Sequence, residues 1–153
     1  MAAWLGAALL FGAVVAPAAF GVLRSFGLSN ASEIAGSIVT RTLGVINVAG
    51  FVMALLLLVT ALLRRQAQTR WSLIVECVGL AVIALTTSLG HWWIAARMRA
   101  LRAAMELPID QIAAADPRRI EFNALHGYSV KALGIAMIAG LLALVLMGRN
   151  LRH

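Results

Sequence analysis

The chain has 153 residues, of which 62% are hydrophobic and 12% are charged, and its formal net charge is +7. A soluble domain is nearer half apolar and a quarter charged, and a small chain cannot hide such an excess in a core. Composition therefore excludes a soluble globular domain. It predicts a single membrane domain over residues 1–153, with the lipid bilayer as its surroundings.

Four apolar runs predict the fold. A helix needs about 20 apolar residues to cross the hydrocarbon core, and the predicted transmembrane spans are about 3–23, 42–63, 71–96 and 128–147. Pro17 should kink the first span, because proline removes a backbone donor. The predicted fold is all-α, an integral membrane four-helix bundle.

Helical extensions are predicted on one face of this bundle. Asn30 followed by Glu33 is typical of a capping box, so the second helix should begin near residue 31. The third span continues into a basic helical segment after residue 96. Asp116-Pro117 is a strong helix start that should run into the fourth span.

The thirteen Lys and Arg residues lie mainly at the ends of the apolar runs, where they meet headgroups. They form no basic stripe interleaved with aromatics, so nucleic acid is not an expected partner. The basic turn at 64–70 and the tail residues Arg149 and Arg152 favour cytoplasmic termini in a bacterial inner membrane. The opposite face carries at least as many arginines, diluted by acids.

The tryptophans and the small residues predict how the helices sit in the membrane and pack. All the tryptophans are expected in interfacial belts, at Trp4, Trp71, Trp92 and Trp93. Small residues at four-residue spacing predict close helix packing, inside the bundle or in a homo-oligomer. They are Ala8, Gly12 and Ala16 in the first span, and Ala132, Ala136 and Gly140 in the fourth.

Polar groups inside membrane helices are costly, and each is a candidate site. Glu76, Thr87 and His91 fall within about 60° on one face of the third span. Glu76 is expected either to pair with Arg70 or to serve as a proton or cation site. Arg41 either snorkels or pairs with Glu33 or Glu121.

Two histidines suggest a metal or haem site as an alternative to the polar cluster. His91 and His126 come to similar depth on consecutive spans, where two imidazoles can ligate a metal or a b-type haem. The competing interpretation is interfacial histidines bonded to neighbouring polar groups. No cofactor is expected otherwise, and no catalytic template occurs, so enzymatic activity is not predicted.

The segment 122–129 reads FNALHGYS. This phrase, the early span ending in PAAF, and the basic run after the third span resemble the family related to transmembrane protein 205. The resemblance implies a four-helix membrane protein linked to resistance against toxic metal compounds. It singles out His126 and Ser129.

Three function classes follow. The first is a transport or toxic-compound resistance component whose polar cluster lies near one face, formed by Glu76, Thr87, His91, His126, Ser129 and Arg41. The second is a haem- or metal-binding membrane protein that uses His91 and His126. The third is an accessory subunit that offers a packing surface to a membrane partner protein.

Overall fold

The computed structural model describes residues 1–67 and 69–150. In these ranges four helices are long and apolar enough to cross a membrane. They are α1 (Ala2–Ser25), α2 (Ala31–Leu63), α3 (Arg70–Ala103) and α4 (Pro117–Asn150). Each contains one predicted span, so the all-α four-helix prediction is confirmed. Arg152 and the side chain of Arg149, both part of the orientation argument, lie outside what the structure describes.

The helices form a closed bundle. α2 packs against α1 and α3, and α4 packs against α3 and α1. Segments 26–30 and 104–116 share one end, which we call the linker face. At 33 and 34 residues, α2 and α4 are each about 50 Å long, which exceeds the hydrocarbon core of about 30 Å. The predicted extensions are confirmed there, over a second apolar cluster of Ile94, Leu101, Met105, Ile112 and Leu125.

The helix starts at the linker face differ from each other. Asn30 is the N-cap of α2, as predicted, but its side chain makes no capping bond. Asp116 does cap α4, because its Oδ1 accepts the backbone N–H of Arg118 at 2.8 Å. The Arg118 guanidinium also donates to the carbonyl oxygen of Ala104 at 2.8 Å, which ties α4 to the linker. Gly27 turns the chain after α1 with a φ of 65°, a conformation that favours glycine.

Trp4 does not lie in an interfacial belt, and that prediction was wrong. Its side chain is buried, and its Nε1–H donates to the carbonyl oxygen of Ile46 at 2.9 Å. The ring fits where Gly50 and Gly140 carry no side chain. The glycines let an amphipathic indole enter the core with its N–H satisfied. Trp71, Trp92 and Trp93 are exposed.

Two π-helical segments interrupt the long helices. Phe11–Val15 lies in α1 and Leu89–Ile94 lies in α3. The first ends just before Pro17, which has no N–H and whose ring crowds the carbonyl four residues earlier. Near Pro17, where the sequence predicts a kink, the helix thus has a wider turn, a feature found often at functional sites.

Gly50→Ala should destabilise the bundle. A Cβ at Gly50 would lie 2.7 to 2.9 Å from atoms of the Trp4 indole, and the rigid ring has to move. Overpacking of this kind costs about 1–3 kcal/mol. Thermal melts in detergent should show a lower Tm for G50A. Gly6→Ala, where the added Cβ meets nothing within 4 Å, is the control, and an equal Tm for both variants would contradict the assignment of Trp4.

Asp116 should make stability depend on pH. The Arg118 side chain and backbone hydrogen-bond to this carboxylate and lower its pKa from 3.8 to about 2. A depressed carboxyl pKa contributes stability above the unfolded-state value, which is lost as the pH falls through the folded-state value. The Tm of the native protein should therefore exceed that of D116A by a few degrees at neutral pH, and the gap should close between about pH 4 and pH 2. A gap that stays constant down to pH 2 would rule out this role.

Candidate functional site

A cavity of about 420 Å³ lies between the four helices, toward the linker face. We call it the central cavity. Its walls are mainly apolar, from Phe11, Phe20, Leu43, Val130, Leu133 and Met137. It exists because small residues line it where larger ones would fill it, notably Gly12, Ala16, Gly44 and Ala95. A Cβ added at Gly12 would meet no atom within 4 Å. Gly12 thus faces open space, whereas Ala16 lines the cavity and also packs against the core, as Ala8, Ala136 and Gly140 do.

Polar groups from two helices face this apolar space. Thr40 and Asn47 come from α2, and His126 and Ser129 come from α4. Asn47 and Ser129 are buried. The Asn47 amide is held against Gly90 of the π segment in α3, where an added Cβ would lie 3.1 Å from its Nδ2. A few fixed polar groups in an apolar pocket are the usual means of orienting a ligand.

A second hollow of about 410 Å³ continues from the central cavity to the linker face. We call it the outer vestibule. The two hollows share Phe20, Val39, Thr40, Met98 and His126 in their walls, so they adjoin each other. Charged side chains line only the outer vestibule of the two: Arg24, Arg102, Arg119 and Asp110. The combined space is apolar within the bundle and basic at its mouth.

Arg102 is the most confined of these cations. Its side chain is 23% exposed, and its Nη1 is buried with no hydrogen-bond partner among the described residues. The nearest acid, Glu33, places an oxygen 3.8 Å from that Nη1, which is too far for a hydrogen bond. The guanidinium also lies over the Phe122 ring, 5.2 Å from its centroid. A third hollow, of about 270 Å³, places Arg41 and Arg99 beside Arg102.

The structure divides the six residues predicted as one polar cluster among several places. His126 and Ser129 line the central cavity, and Arg41 lines the adjoining hollow. Thr87 is buried, but its hydroxyl donates to the carbonyl oxygen of Ile83 at 2.6 Å, within its own helix.

Glu76 lies toward the other end of α3, about 22 Å along the axis from His91 at 1.5 Å per residue. It is 2% exposed, forms no ion pair with Arg70, and its Oε1 has no hydrogen-bond partner among the described residues. Glu33 pairs with Arg102 and Glu121 with Arg97, so neither acid bonds Arg41.

His91 lies behind the cavity wall. Its ring is 3.7 Å from where a Cβ of Gly44 would be, and it meets Trp92 edge to face at 5.0 Å. Its Nδ1 is buried without a partner among the described residues. It lines neither the central cavity nor the outer vestibule, whereas His126 lines both.

Sequence reasoning missed Asn47 and the arginines of the outer vestibule. The signal for Asn47 was available, because it is an amide inside the apolar run 42–63 and polar side chains in membrane helices mark sites. The arginines gave no comparable signal. Arg24 and Arg102 follow apolar runs in the sequence, as arginines that face headgroups also do. Only the packing of the linker in the structure shows that these two line the vestibule.

Comparisons with known proteins identify a family but no activity. A family model described as a domain of unknown function, DUF4149, matches residues 1–106. No curated protein and no solved structure matches the chain. The matched range contains α1, α2 and α3, whereas the His126 and Ser129 side of the central cavity lies beyond it.

Proposed function

Because the chain belongs to the DUF4149 family, whose domain has no known function, we propose a function from the site itself: the central cavity binds an amphiphilic small molecule taken from the bilayer. One observation carries the proposal. An apolar cavity within the bundle adjoins a hollow lined by charged side chains at the linker face, and five residues border both. That gradient matches a molecule with an apolar chain and a polar head.

Size and lining support a ligand. Small-molecule pockets typically span roughly 300–1,000 Å³ and are mostly apolar with a few placed polar groups, and this cavity has about 420 Å³. An unfilled hollow forgoes the dispersion contacts that a packed interior gains. The glycine and alanine residues that keep it open therefore cost stability unless something occupies it. An alkyl chain fits the walls of Phe11, Leu133 and Met137.

Filling the cavity should abolish binding. The test uses hexadecyl probes with a photoreactive diazirine in the chain, added to the protein in phosphatidylcholine nanodiscs. After illumination, peptide mass spectrometry should place labels on cavity residues such as Leu133 and Met137. Gly12→Leu inserts a side chain into the space, so this labelling should fall at least several-fold.

Gly21→Leu is the matched control. Gly21 is also an exposed glycine of α1 with nothing within 4 Å of an added Cβ, and it does not line the central cavity. Labelling should persist in G21L. Labels confined to lipid-facing positions, or unchanged in G12L, would contradict the proposal.

The same two variants address the biological role. We propose that binding serves transport or resistance to toxic amphiphiles, in a bacterial inner membrane with cytoplasmic termini. Cells that lack the protein should then be rescued by G21L and remain sensitive with G12L. An accessory subunit would instead copurify with a membrane partner and tolerate both changes.

We also propose that the chain is related to the transmembrane protein 205 family. The FNALHGYS segment of this chain, which carries that resemblance, lies beyond the range 1–106 that the DUF4149 model matches.

A b-type haem is the second candidate, because Nδ1 of His91 has no partner among the described residues and His126 lines the central cavity, although His91 itself lies behind the cavity wall. In the parts of the chain that the structure describes, no three His, Cys, Asp or Glu side chains group for a metal ion, but a haem needs only two histidines. Protein purified from haem-supplied cells should show a Soret band that His91→Ala or His126→Ala removes. A colourless sample would eliminate this candidate.

A further inference from the structure

We propose that the outer vestibule selects an anionic headgroup, a phosphate or a carboxylate, on the amphiphile whose chain occupies the central cavity. The inference rests on the proposed function and specifies the chemical class of its ligand. The vestibule is lined by Arg24, Arg102 and Arg119 against a single acid, Asp110. Arginine binds carboxylate and phosphate through its planar fork of donors.

Nearby acids neutralise this charge only in part. Glu33 pairs with Arg102, but its oxygen lies 3.8 Å from Nη1 and accepts no hydrogen bond from it. Glu121 is engaged by Arg97 at 2.7 Å and Asp116 by Arg118 at 2.8 Å, outside the vestibule lining. Two further arginines, Arg41 and Arg99, adjoin Arg102 in the neighbouring hollow. No ion pair in the described ranges involves Arg24, Arg41 or Arg99. The linker face thus concentrates positive charge around one opening.

Arg102 supplies the geometric argument. A buried N–H without an acceptor carries an uncompensated desolvation cost, and Nη1 of Arg102 has no acceptor in the part of the chain that the structure describes. An anionic oxygen in the vestibule would accept its hydrogen bond. Arg119 is already oriented, since its Nη1 donates to the carbonyl oxygen of Ile112. Arg24 is held over the Phe20 ring, 5.7 Å from its centroid.

The source of the anion follows from the position of the two hollows. Phe20, Met98 and His126 border both the vestibule and the apolar cavity, so a headgroup among the arginines would lie next to a space for its chain. A free phosphate would use only the vestibule. We therefore commit to an anionic amphiphile.

The test compares three hexadecyl diazirine probes with the same chain and a phosphate, a carboxylate or a hydroxyl head, in phosphatidylcholine nanodiscs. The two anionic probes should label the central cavity about tenfold more than the alcohol, as expected for a charged hydrogen bond. Arg102→Gln should reduce them to the level of the alcohol. Arg102→Lys keeps the charge without the fork and should retain part of the preference.

Arg97→Gln is the control, because it removes the same charge from a pair outside the vestibule; it should leave the preference intact. Size-exclusion elution and Tm verify that each variant is folded.

Equal cavity labelling by all three probes, unchanged in R102Q, would overturn the anionic headgroup and leave the proposed function standing. Labels from every probe on lipid-facing positions alone would overturn both. Protection of the cavity by millimolar inorganic phosphate as potent as the unlabelled alkyl phosphate would assign the vestibule to a free anion and overturn the lipid source.

Discussion

The Trp4 indole holds the first helix to the second and the fourth, because its N–H is bonded to Ile46 and its ring occupies the space that Gly50 and Gly140 leave open. Helices in lipid gain no hydrophobic free energy from meeting each other, so close packing and buried hydrogen bonds decide their association. Leu5 and Ala8 of the same helix are buried in the core beside the indole. With these contacts in place, α1 is fixed near its N-terminus and its other half is available to line the central cavity.

The bundle is consequently packed in one half and hollow in the other. Around Trp4 the core contains fully buried small and branched residues, such as Ala54, Leu80 and Ile83. Toward the linker face the same four helices enclose apolar space, and the arginine-rich linker borders its mouth. The extension cluster around Leu101 and Leu125 holds that linker in place. The tightly packed core and the hollow thus lie toward different ends of the same helices.

Much of the fold was predictable from the sequence, because hydropathy, charge placement and proline determine where membrane helices begin and end. The site was predictable only in part. The FNALHGYS phrase pointed to His126 and Ser129, which line the cavity. Thr87 looked equally polar, but its hydroxyl is satisfied within its own helix, and this depends on a side-chain rotamer that periodicity does not reveal. Trp4 was misplaced because an indole suits both an interface and a core, and the glycines that decide between them lie on other helices.

The π segments at Phe11–Val15 and Leu89–Ile94 make the direction of the side chains after them depend on the exact number of residues in each segment. A π turn closes i→i+5 bonds and so holds one more residue than an α turn, which rotates everything beyond it by about 100° relative to an uninterrupted α-helix. In α1, Trp4, Leu5 and Ala8 before the segment lie in the core, and Ala16, Pro17 and Phe20 after it line the cavity. Loss of a single residue there would turn the cavity wall toward lipid while leaving composition and hydropathy almost unchanged. The spacing across these two turns therefore determines which side chains of α1 and α3 line the hollow.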